Sequence, residues 1–204
     1  SITGVKIQRE LKGEICFSID TQPNRKKSIC TSRSFSSRLS DLADIRESVV
    51  SHASRCAEKL RNQKSCAGYI SVFLQTDPYS KSQQYYGGYK SVSLYVPTNQ
   101  TIELVKASVS LLELIYLDNF IYKKAGVIVG DLVPDNSVQL HLFSNSSDQD
   151  KAALYRSIDS INRTMGRGKV QILGEGILST KKIVKENLSP CYTTRWSDLL
   201  RVNS

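Results

Sequence analysis

Apolar residues recur along this chain in two rhythms. Between 41 and 64, Leu42, Ile45, Val49, Ala53, Cys56 and Leu60 fall three or four residues apart. That spacing gathers them on one stripe of an amphipathic helix, which Asp41 opens. The other side of the helix carries Arg46, Glu47, Arg55, Glu58, Lys59 and Arg61. A second helix is predicted over 101–117, with Ile102, Val105, Val109, Leu112 and Tyr116 as its core stripe. Elsewhere the period is two, as strands require. Over 66–76, Ile70, Val72 and Leu74 share a face. After Gly87-Gly88, Val92, Leu94 and Val96 point one way while Tyr89, Ser91, Ser93 and Tyr95 point the other. A strand over 27–35 runs into a Ser/Arg-rich stretch, and 123–132 is an apolar strand centred on Ala125-Gly126-Val127-Ile128-Val129-Gly130.

The order is therefore β-α-β-β-α-β, an α+β arrangement in which two helices cover one sheet face. The uncovered face is lined by Tyr, Ser and Thr, a plausible docking surface that does not name its ligand. Flanking it, residues 2–12 predict a short helix stopped by Gly13, and 20–27 a polar linker containing Pro23. After Pro134 the composition changes. Gln139, Leu140, His141, Leu142 and Phe143 stand between polar flanks, too small a group to build a core. Two readings stand for this pentad: a linear motif that docks into another protein's groove, or an edge strand folding back on the same chain. Residues 151–165 suggest a helix through Ala153, Leu154, Ile158 and Ile161, and the remainder is weakly patterned.

Charge sharpens the picture. The chain of 204 residues carries a formal charge of +9. Ten basic and four acidic side chains lie in 21–65, and the same numbers in 151–204, whereas 66–134 is neutral and 135–150 holds only acids. Two basic regions around a neutral block suit a polyanion binder. No apolar run approaches the ~20 residues of a membrane span, and the opening segment is too charged for a signal-peptide core. Five separated cysteines without a C-x-x-C read as reduced thiols of a cytoplasmic protein.

Candidate reaction chemistry is scarce. His52 and His141 are the only histidines and neither adjoins a cysteine, which argues against zinc and against Cys/His or Ser/His hydrolysis. Glu10 with Glu14, and Asp41 with Asp44, share helical faces but lack an apolar pocket to tune them. Gly166-Arg167-Gly168-Lys169 lacks the Gly-Lys-Ser/Thr context of a phosphate loop. Binding elements are present instead. Lys26, Lys27, Arg33 and Arg38 cluster around the first strand and could neutralise phosphates, and the tyrosines of Tyr85-Tyr86-Gly87-Gly88-Tyr89 could stack bases or simply form a turn.

Several stretches together resemble the UmuC-type branch of the Y-family DNA polymerases. They are Glu14-Ile15-Cys16-Phe17 with Lys27 to Phe35, Ala57-Glu58-Lys59-Leu60-Arg61, Pro78-Tyr79 with Tyr85-Tyr86-Gly87, and Tyr122-Lys123-Lys124-Ala125-Gly126-Val127. The most specific is the terminal Leu188-Ser-Pro-Cys-Tyr-Thr-Thr-Arg-Trp-Ser-Asp-Leu-Leu-Arg-Val202, and the resemblance covers nearly the whole chain. It implies a little-finger domain, a four-stranded antiparallel sheet with two helices on one face, whose sheet lies along template–primer DNA. It makes Lys26, Lys27, Arg33 and Arg38 the phosphate contacts, with Ser32 and Ser34 as hydrogen-bond donors. The pentad 139–143 is similar to the family's sliding-clamp motif, in which Leu142 and Phe143 would fill an apolar pocket while Gln139 sets the register. His141 replaces a small polar or acidic residue expected there.

The resemblance divides the chain into the end of a thumb (1–21), a little finger (22–134), a clamp-binding linker (135–150) and a C-terminal extension (151–204). It further implies a cleaved UmuD dimer and a RecA filament as partners. The palm carboxylates that hold magnesium are expected before residue 1, so the chain is expected to bind DNA and clamp without synthesising DNA. Trp196, Leu199 and Leu200 would either pack the extension on the sheet domain or await a partner. A rival from another class is a single-strand RNA-binding module of the same element order. It predicts stacking aromatics on both central strands.

Overall fold

A computed structural model describes residues 2–17, 25–138, 148–176 and 188–199. A detached helix α1 (Ile2–Leu11) buries none of its side chains. The sheet domain follows as β1 (Ser28–Leu39), α2 (Leu42–Asn62), β2 (Ser65–Thr76), β3 (Gly87–Thr98), α3 (Thr101–Ile115) and β4 (Tyr122–Pro134), and α4 (Asp148–Thr164) begins the extension. The four strands form one sheet in the order β1-β4-β2-β3, every neighbouring pair antiparallel. The α+β architecture with both helices on one face is as the pattern predicts.

Helix α2 forms where the stripe repeats. Ile45, Val49, Ala53, Cys56 and Leu60 are fully buried against Ile70, Val72 and Leu74 of β2 and Val127 and Val129 of β4. Asp41 caps the helix, its Oδ1 accepting the Ala43 amide at 3.0 Å. The buried Cys56 thiol donates to Thr31 Oγ1 at 3.3 Å, and burial pushes it up to about 11. That contact fixes which way β1 faces: Thr31 points to the helices, and its neighbours Cys30 and Ser32 point away.

Helix α3 corrects the sequence reading. Its buried residues are Thr101, Leu104, Ser108, Leu111, Leu112 and Ile115, whereas Ile102 is 48% exposed. Of the stripe expected through Ile102, Val105, Val109, Leu112 and Tyr116, Leu112 is fully buried and Val105 and Tyr116 pack against the core, while Ile102 turns outward and Leu104, Leu111 and Ile115 join the buried side. This helix is apolar on most sides, so periodicity underdetermines its phase. The true phase buries Ser108, which is tolerated because its hydroxyl donates to the Val105 carbonyl at 2.8 Å.

The first strand is longer than the pattern indicated. Ser34 faces Lys124 and Leu39 faces Tyr122, so a bulge of β1 carries the strand through the Ser/Arg stretch. At this end of the sheet Tyr122 is fully buried among Tyr86, Tyr116 and Phe120, and its hydroxyl exchanges two bonds with the backbone of Leu117. Tyr86, offered above as a base-stacking residue, belongs to this cluster and donates its hydroxyl to the Ile115 carbonyl. Among the described residues no helix is long and apolar enough to cross a membrane.

Candidate nucleic-acid interface

Register places four side-chain rows across the face that the helices leave open. Ser28, Gly130, Tyr69 and Ser93 form one row; Cys30, Ile128, Ser71 and Ser91 the next. Ser32, Gly126, Phe73 and Tyr89 follow, and Ser34, Lys124, Gln75 and Gly87 complete the set. None of these paired positions is a carboxylate, and Lys124 is the one cation among them. Rows of hydroxyls and aromatic rings that carry no negative charge admit a phosphate backbone without repulsion.

Two glycines make the face flat. A Cβ at Gly126 would run into the Phe73 ring and the Ser32 side chain, and one at Gly130 would run into the Tyr69 ring. The rings of β2 therefore lie across β4 instead of standing off the sheet. Lys124 Nζ sits 5.8 Å from the centre of the Phe73 ring. That places the cation beside an apolar platform on the open face.

The residues expected to meet phosphate fall into three groups. Lys26 and Lys27 are exposed just before β1, and Ser34 is exposed on the open face. Ser32 is half-buried there, against the Gly126 backbone. Arg38 lies at the far end of β1 with Nη2 3.7 Å from Asp77 Oδ2, an exposed pair of little energetic weight. Arg33 shares the helix side of β1 with Thr31 and lines a groove with Asp44, Glu47 and Arg55 of α2. It sits behind the edge strand and not on the open face, because strand alternation turns it over. Gln139, Leu140, His141, Leu142 and Phe143 lie outside the described residues.

Tyr69, Phe73, Lys124, Gly126 and Gly130 were missed. Their signal was present as aromatics four apart on one strand and glycines four apart on another, but only the register shows that they meet. The rival expectation of aromatics on both central strands is not met: β4 offers Lys124, Gly126, Ile128 and Gly130. Among the described residues no group of three or more His, Cys, Asp or Glu side chains could hold a metal ion.

The sheet is all-antiparallel and its four paired open-face rows carry no carboxylate, and the sequence places the chain in a known lineage. The chain belongs to the impB/mucB/samB family, whose C-terminal domain model matches residues 26–142. A model described as a domain of unknown function matches residues 152–202. The chain is 38% identical to the protein UmuC of Salmonella typhimurium over 195 residues, 95% of this chain and 46% of that one. It is also 38% identical to SamB of Salmonella typhimurium, covering 94% and 45% respectively, and 37% identical to MucB of Escherichia coli over the same shares. The chain thus spans under half the length of these relatives. The resemblance to UmuC-type proteins stands. A solved Y-family DNA polymerase chimera superposes on 66% of this chain and 36% of its own at a TM-score of 0.41 and 12% identity, too low to argue from.

Proposed function

We propose that this chain is the DNA-gripping, clamp-recruiting C-terminal part of an error-prone translesion DNA polymerase that works in the bacterial cytoplasm. The observation that carries the reading is the open sheet face with its basic edge. From Lys27 to Arg38 the edge strand reaches at most roughly 35 Å at ~3.3 Å per residue, about one turn of duplex DNA. Lys26, Lys27 and Lys124 supply charge at one end and near the middle of this track, Arg38 at the other, and Ser34 and Ser32 supply hydroxyls between them. Phosphate contacts of this kind hold a duplex without reading its sequence, which is what a polymerase must do at any template position.

Recruitment falls to the pentad 139–143, in which Leu142 and Phe143 are the pocket-filling pair and Gln139 the register-setting one. Polymerisation and its magnesium ions belong to the palm carboxylates of such a polymerase. A UmuD dimer and a RecA filament are further partners of the whole polymerase, with the extension as their nearest candidate surface. Calorimetric titration with purified bacterial sliding clamp tests the tether. Micromolar binding that a Leu142→Ala/Phe143→Ala variant abolishes is expected, and equal binding by both would remove the pentad from the account. Preference for primed duplex over single-stranded RNA separates this reading from its rival.

A further inference from the structure

Residues 148–176 are seated on the helix layer through polar contacts of Tyr155 and Asp159. Arg61, in the last turn of α2, donates Nε to Asp159 Oδ2 at 2.6 Å and Nη2 to Asp159 Oδ1 at 2.8 Å. The two side chains are only 12% and 17% exposed. Such a planar, two-bond pairing is the strong form of an Arg–carboxylate contact. The remaining Nη1 donates to the Asn99 carbonyl and to Thr101 Oγ1, both at 2.9 Å. One guanidinium therefore ties the end of α2 to the start of α3 and to the middle of α4.

Tyr155 adds a second tie. It is 5% exposed, and the Arg61 guanidinium lies 4.9 Å from its ring centre. Its hydroxyl accepts the Ile102 amide at 3.2 Å. That amide lies in the first turn of α3, where helix N–H groups have no partner within the helix. The N-cap residue Gln100 makes no side-chain cap bond, so a tyrosine from α4 satisfies this donor. Further along, the turn Leu173–Glu175 lies on α2: a Cβ at Gly174 would touch Val50, and burial holds the Glu175 carboxyl above its usual range.

We propose that residues 148–176 are an intramolecular brace, latched by Arg61–Asp159 and Tyr155, which completes the helix layer of the sheet domain. This gives the segment a role: it adds an acceptor for the Ile102 amide in the first turn of α3 and supplies the Arg61 guanidinium with a carboxylate partner. The seat is on the layer opposite the open sheet face, so the brace and a nucleic acid occupy different sides. The inference stands whether or not that face binds DNA.

Hydrogen exchange on the full chain tests it with two variants. Asp159→Ala removes the latch from α4 and leaves the bonds from Arg61 to Asn99 and Thr101 in place. It is expected to speed exchange in α4 and in the first turn of α3 about tenfold, while β2 and β4 keep their protection, as local unlatching requires. Tyr155→Phe retains the ring and loses the acceptor, so exchange at Ile102 should rise while α4 stays protected. Unchanged exchange of α4 in Asp159→Ala would overturn the latch. Equal loss across α4, β2 and β4 would overturn the brace as a separable unit, and an unmoved Ile102 amide in Tyr155→Phe would overturn the cap.

Discussion

Single residues decide whether the open face is flat. Gly126 and Gly130 are seats for the rings of Phe73 and Tyr69, and any Cβ there must displace an aromatic side chain packed by its neighbours. Gly126→Ala should cost about 1–3 kcal/mol, the usual toll of overpacking, read as a lowered urea midpoint. It should weaken duplex binding as well, because the displaced ring would stand proud of the face. Two thiols carry a pH dependence. Burial first, and for Cys66 also the nearby Asp135 carboxylate, raises Cys56 and Cys66 from 9.0 to about 11. The unfolded chain gives up these protons first, so their contribution is whole below about pH 9 and is lost as pH rises toward 11. For Cys56 the loss is on the order of 2 kcal/mol. Urea titrations should show stability falling across that window, with a shallower fall in Cys56→Ala.

Elements were the scale at which the sequence spoke most clearly. Helix α2 runs where Leu42 to Leu60 repeat, and the alternating strand over 66–76 and the apolar strand over 123–132 lie within one or two residues of β2 and β4. A marked period or a compact apolar run packed against a single core leaves little freedom. Helix α3 is less determined, because apolar residues on several faces leave it open which of Ile102, Leu104 and Leu111 turn inward. The serine-rich end of β1 was hidden by its bulge, which breaks alternation where the strand continues. Arg61 stands in sequence among the charged residues on the far side of α2, and nothing local marks it as the one on which α4 docks. Trp196 also departs from one expectation: it is 90% exposed and does not pack on the sheet domain. The cap of α2 gives a direct check at this scale. Asp41→Ala should cost about 1 kcal/mol in thermal or urea unfolding, and Asp41→Asn should restore most of it.

The whole molecule shows what only long-range pairing supplies. The order β1-β4-β2-β3 brings 28–39 beside 122–134 and sets aromatics over glycines more than fifty positions away. No window of local sequence holds that information, so the candidate basic residues could be named from sequence but not assigned to a side. Lys26, Lys27, Lys124 and Ser34 remain on or beside the open face, while Arg33 passes behind it. The central claim is that this face grips the phosphate backbone. Fluorescence anisotropy of a primed duplex, repeated over a series of salt concentrations, tests it most directly with the chain and a Lys26→Ala/Lys27→Ala/Lys124→Ala variant. Each lost phosphate contact should flatten the slope of log K against log salt by about 0.9, so the variant's slope should be shallower by about 2 to 3. Equal slopes in the two proteins, or an affinity indifferent to salt, would contradict the account.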